Sequence, residues 1–150
     1  MTGPATLDRD GIAARIPHRG RMCLLDRLVA WSTDRIECRS ASHQAADNPL
    51  RSASGLLAPC AIEYAAQAMA LHGALVAPPG DGPAPGYLAS VRQVRLAVAT
   101  LHDVPGELQV HARRLAGDAR QILYQFSVSD EAGRLLADGR ATVVLNAFPE

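Results

Sequence analysis

Hydrophobic and polar positions change their period twice along this chain of 150 residues. Between Arg21 and Ala41, the run MCLLDRLVAW, a polar break at Ser32-Thr33-Asp34, and RIECRSA with Ile36, Cys38 and Ser40 on one face predict two strands joined by a turn. Asp47 to Gly55 collects Asp, Asn, Pro, Ser and Gly, which compete with regular structure and mark a loop. The next segment, PCAIEYAAQAMALHGALVA, has no breaker until Pro78-Pro79, and Pro59 is compatible with a first helical turn, where its missing N–H has no partner to lose. One helix is predicted over Pro59–Ala77, about 28 Å long. Its seven alanines predict a helix closely enclosed by other elements.

Pro78 to Gly86 contains four prolines and three glycines and predicts a mobile surface connection. Only strand signals follow. GYLASVRQVRLAVATL alternates Val94, Leu96 and Val98, ELQVHARRLA follows a VPG break, and Gly117-Asp118 turns into QILYQFSVSD. A further turn at Glu131–Arg134 leads to LLADGRATVVL. Two strands, one long helix and four strands do not alternate as a parallel doubly wound sheet requires. The expectation is an α+β fold, a curved antiparallel sheet wrapped around one long central helix, in a single domain over residues 1–150.

Composition narrows the function. Fifteen basic and fifteen acidic residues cancel and 48% of positions are hydrophobic, so neither disorder nor nucleic-acid binding is expected. Cys23, Cys38 and Cys60 show no C-x-x-C spacing and cannot all pair, which argues against a disulfide framework or structural zinc and for a reducing compartment. Met1–Asp10 has no basic stretch leading into an apolar one, and Glu63, Gln67 and His72 interrupt the longest apolar run. A cytoplasmic protein with no membrane span is expected.

Three segments in order, PHRGRMCLLDRL, IEYAAQAMALHGAL and VPGELQV, resemble the bacterial 3-hydroxyacyl-carrier-protein dehydratases of fatty-acid synthesis. Pro17-His18-Arg19-Gly20 and Ala61-Ile62-Glu63-Tyr64-Ala65-Ala66-Gln67 resemble more closely the ApeP-like dehydratases associated with aryl polyene gene clusters. The resemblance implies a hot-dog fold that dimerises by joining two sheets edge to edge. It also implies action on a 3-hydroxyacyl thioester of acyl carrier protein or coenzyme A, without a cofactor, with the acyl tail in an apolar tunnel. One motif departs from the fatty-acid enzymes. Their Gly-His-Phe-Pro loop, whose His works with the helix Glu of the neighbouring subunit, corresponds here to the shorter, His-free stretch Asn48–Gly55.

Such a dehydration needs a base for the proton beside the carbonyl, an acid for the leaving hydroxyl, and donors for the enolate-like oxygen. Glu63, in an apolar stretch where partial burial suits an acid–base group, is the first candidate. Gln67 follows by one helical turn and is expected to orient it. N–H groups near Cys60 and Ala61 at the helix start are candidates for the thioester oxygen. His18, from the motif, and His43, beside the shortened loop, are the candidate partners of Glu63, while His72, His102 and His111 rank behind them. Cys60 is a packing residue rather than a nucleophile on this reading, and Asp26 is structural, paired with Arg27 or Arg19. Arg92, Arg95, Arg113 and Arg114 are candidates for a phosphate or an acidic carrier face. Two alternatives stand beside dehydration: a non-catalytic subunit that pairs with an active hot-dog dehydratase, so that the dimer contains one or two kinds of chain, and an acyl thioesterase.

Overall fold

The computed structural model describes residues 4–77 and 86–145. Its elements are β1 (Leu7–Asp8), α1 (Arg9–Ala13), β2 (Arg27–Trp31), β3 (Arg35–Ser40), α2 (Ala61–Val76), β4 (Gly86–Leu96), β5 (Leu108–Gly117), β6 (Gln121–Ser129) and β7 (Leu135–Leu145). All seven strands join one antiparallel sheet in the order β1-β2-β3-β5-β6-β7-β4. The period-two pattern explains which face is covered. Ile122, Tyr124, Phe126 and Val128 of β6 and Ile36, Cys38 and Ser40 of β3 are buried, whereas the residues between them are partly exposed. The long helix packs against that inner face through β3, β5 and β6. This is the curved sheet around one helix that the sequence pattern predicts, and the hot-dog arrangement that the resemblance implies.

The helix is buried over most of its circumference, from Ala61, Tyr64 and Ala65 through Gln67, Ala68, Met69, Leu71 and His72 to Leu75. Its small side chains allow that enclosure. The α-helical part starts two residues later than expected, because Ala58–Cys60 forms a 3-10 turn that absorbs Pro59. Just before it, Gly55 adopts φ +94°, and a Cβ there would run into the His102 ring. Only glycine fits. His102 Nδ1 accepts the Leu56 N–H at 3.0 Å, which fixes the approach to the helix.

Three expectations are revised. Strand β2 begins at Arg27 rather than near Arg21, because Gly20–Met22 forms a 3-10 turn and Cys23, Leu24 and Leu25 are buried beyond it. β4 ends at Leu96, and its Val94/Leu96/Val98 alternation is broken by a bulge between Arg92 and Arg95, where Gln93 takes φ 54°. At the N-terminus, β1 and α1 appear where no element was expected; Asp8 caps the short helix by accepting the Gly11 N–H at 2.9 Å, and Ile12 anchors it in the core. The expected Pro78–Gly86 connection lies, apart from Gly86, outside the described residues.

Candidate active site

The Pro17-His18-Arg19-Gly20 motif forms the link between α1 and the 3-10 turn at Gly20–Met22, and Arg19 and Gly20 each have a visible task. The Arg19 guanidinium donates to the carbonyl of Ala13, an acceptor that the C-terminus of α1 leaves open, and to that of Ile16 beyond the helix. Gly20 takes φ +57°, and its carbonyl accepts from Arg9 at 2.9 Å. The segment is also held from the helix side. Gln67 is fully buried; its Oε1 accepts the Leu24 N–H at 2.9 Å and its Nε2 donates to the Met22 carbonyl at 2.7 Å. Gln67 thus clamps the stretch just beyond His18 onto α2, and it does not border the cavity described next.

Within this frame His18 Nε2 lies 3.3 Å from Glu63 Oε1, with side chains 24% and 35% exposed, so the pair is reachable from solvent but not surrounded by it. His18 Nδ1 is buried and has no hydrogen-bond partner among the described residues. The pair opens onto a cavity of about 670 Å³. Glu63, Ala66, Ala70 and Gly73 line it from one helix face, spaced by three or four residues, and Ile122, Tyr124, Val143 and Leu145 line it from the sheet. From Glu63 to Gly73 the helical wall runs about 15 Å. Alanine and glycine on that face leave the space that larger side chains would fill, and Glu63 stands at one end of the row.

The other candidates are placed elsewhere. His43 is fully buried in the 3-10 turn Ser42–Gln44, its Nε2 is 2.9 Å from the Val104 carbonyl, and it is not among the residues lining the cavity. Burial lowers its pKa, the Val104 hydrogen bond opposing this. The N–H groups proposed for the thioester oxygen are already engaged: Cys60 donates to the Leu57 carbonyl at 3.0 Å, and Ala61 to the carbonyls of Ala58 and Pro59. The 3-10 turn that precedes α2 consumes them. Burial also pushes the Cys60 thiol up, away from a reactive thiolate. Asp26 accepts the Ala41 N–H at 2.6 Å, while Arg27 pairs with Glu107, so the expected Asp26–arginine pair is replaced by a backbone contact.

His72, a candidate ranked behind His18 and His43, is buried beside the cavity wall. Its Nε2 is 2.8 Å from the Ser32 carbonyl, so it carries the proton there, and Nδ1 accepts from the Tyr124 hydroxyl at 2.8 Å. Burial lowers the pKa of His72 and pushes that of Tyr124 up to about 12. His111 stands 3.9 Å from Glu37 on the sheet. The three cysteines are unpaired. Among the described residues no cluster of His, Cys, Asp and Glu is placed to hold a metal, and no helix is long and apolar enough to cross a membrane.

Residues 11–148 match the ApeP-like family, described as ApeP dehydratase. The chain belongs to the ApeP-like dehydratase family. No curated protein matches the sequence. Among solved structures, the ApeP-like chain is similar to the dehydratase heterocomplex ApeI:P of Xenorhabdus doucetiae, with 22% identity over 93% of this chain and 91% of that one and a TM-score of 0.77. A mutant thioesterase of Pseudomonas aeruginosa shares 14% identity over 97% of this chain and 98% of its own, with a TM-score of 0.67. A hypothetical thioesterase of Streptococcus pneumoniae, solved with coenzyme A, shares 9% over 82% and 87%, with a TM-score of 0.60. At these identities the neighbours establish the fold.

Proposed function

We propose that the chain dehydrates a 3-hydroxyacyl thioester, carried on acyl carrier protein or coenzyme A, at the His18–Glu63 pair. The observation that carries this reading is the 3.3 Å separation of those two groups in the wall of a largely apolar cavity. The proton to be removed and the hydroxyl to be expelled sit on adjacent carbons, so the acid and the base must be close neighbours. One proton shared by the pair is sufficient. The member that lacks it takes the proton from the carbon beside the carbonyl; the electron pair forms the carbon–carbon double bond; the carbon–oxygen bond breaks; and the other member protonates the departing hydroxyl, which leaves as water. The acyl tail lies along Ala66, Ala70 and Gly73. Membership of a dehydratase family and the apolar walls support the same assignment.

In this reading His18 takes the place of the histidine that the loop Asn48–Gly55 does not supply. A heteromeric role has its own support in the similarity to a heterocomplex. Strand β4 ends the sheet as an 11-residue edge, with Leu88 and Leu96 exposed, and is the strand expected to pair with a second hot-dog chain. One assay separates the readings. The purified chain is given a carrier-loaded 3-hydroxyacyl thioester and the products are followed by mass. Loss of water on the carrier is expected; release of free acid would identify a thioesterase, and no change until a second hot-dog chain is added would identify a partner subunit.

A further inference from the structure

The outer face of the sheet, opposite the helix and the His18–Glu63 cavity, carries a row of arginines that the dehydration does not use. Cross-strand register places Arg35 of β3 opposite Arg113 of β5, Arg113 opposite Gln125 of β6, Gln125 opposite Arg140 of β7, and Arg140 opposite Arg92 of β4. Five adjacent strands therefore align four arginines and one glutamine over about 19 Å. All four arginines are exposed, and none of their guanidinium groups has an ion-pair or hydrogen-bond partner among the described residues.

The neighbouring row shows what a self-neutralised face looks like on the same strands. There Glu37 stands opposite His111, and Asp138 opposite Arg95, which binds it through two hydrogen bonds of 2.9 and 2.5 Å. The bulge at Gln93 is what turns Arg95 onto the same face as Arg92, three residues away. Charge is thus balanced in one row and left entirely positive in the next. Like charges directly opposite each other weaken a sheet, so fold stability does not account for the arginine row. Edge protection does not account for it either, since Arg35, Arg113 and Arg140 lie on interior strands. At the β4 end, Arg92 and Arg140 border a shallow hollow of about 550 Å³ with Gly117, Asp118 and Thr142.

We propose that the arginine row Arg35–Arg113–Arg140–Arg92 is a docking strip for an acidic helix of a partner protein. Carboxylates one helical turn apart are spaced by about 5–6 Å, close to the roughly 4.8 Å between strands, so one helix laid across the strands can reach both arginine pairs. A chain of zero net charge lacks the general positive field that nucleic-acid binding draws on. The partner is therefore a protein with a localised acidic stripe. This inference does not depend on the proposed reaction, because the row lies on the other face of the sheet.

The test uses the full chain and a fluorescent helical peptide with glutamates repeating every three to four residues, read by anisotropy at low and physiological salt. Salt-sensitive binding is expected, with Arg113→Ser/Arg140→Ser weakening it roughly tenfold, while Arg134→Ser, away from the row, leaves it unchanged. The double variant should keep or raise the melting temperature, since repulsion is relieved. No binding, equal weakening by Arg134→Ser, or a lowered melting temperature in the double variant would overturn the proposal. So would tighter binding of a duplex oligonucleotide of equal charge, or loss of self-association in the double variant, which would assign the face to nucleic acid or to a second copy of the chain.

Discussion

Replacing Gln67 with leucine tests whether the helix clamps the segment that carries His18. The change keeps side-chain size nearly constant but removes both hydrogen bonds, at 2.9 Å to Leu24 and 2.7 Å to Met22. Leu24 is 1% exposed, so its N–H has no access to water and should cost about 1–3 kcal/mol when left unsatisfied. Met22 is 41% exposed, and its carbonyl can recover a water partner at smaller cost. A loss of about 2–3 kcal/mol corresponds to roughly 4–12 °C in Tm for a domain of this size. Thermal unfolding followed by circular dichroism measures the first consequence, and amide exchange at residues 20–26 measures the second, local one. Protection there should fall by more than the global stability does. A Tm within 1–2 °C of the parent, or exchange that changes uniformly across the chain, would refute the clamp.

Other consequences are as direct. Gly73→Leu, where an added Cβ meets no atom within 4 Å, should fill the cavity end. Turnover of long 3-hydroxyacyl tails should drop while a four-carbon substrate is unaffected; equal loss for both would contradict the placement of the tail. His43 and His72 have pKa values lowered by burial, so below about pH 6.5 the unfolded chain binds more protons than the folded one. Stability should therefore be full above that pH and decline as pH falls toward the folded pKa, seen as a falling urea midpoint, and His43→Gln should make the decline shallower. The exposed edge of β4 should pair with another chain, and sedimentation at micromolar concentration should show a dimer; a monomer would count against that edge.

Much of the fold was legible because it rests on long periodic runs. Pro59 and Pro78-Pro79 bracket the helix, and the alternation of Ile122, Tyr124, Phe126 and Val128 marks β6 as half-buried. The five-residue α1 was not legible, since so short a helix has no intrinsic stability and exists through the Asp8 cap and the burial of Ile12. Nor was the bulge at Gln93, where no glycine signals a positive φ. At the site, Glu63 and His18 were both named from motifs, but their proximity was not derivable from spacing, because 44 residues and a change of element lie between them. Gln67 carries a further signal in the sequence. It falls on the same helical stripe as Tyr64, Leu71 and Leu75, and a polar residue on a buried stripe must have found partners.

The central claim is that His18 and Glu63 act as one acid–base unit, and its most direct test is a double-mutant cycle on water loss from a carrier-loaded 3-hydroxyacyl thioester. Glu63→Gln and His18→Ala should each lower turnover by about two orders of magnitude while fold and assembly persist. The double variant should be scarcely worse than either single one, because both groups serve the same step. Full rate in either single variant, or losses that multiply in the double one, would contradict the account.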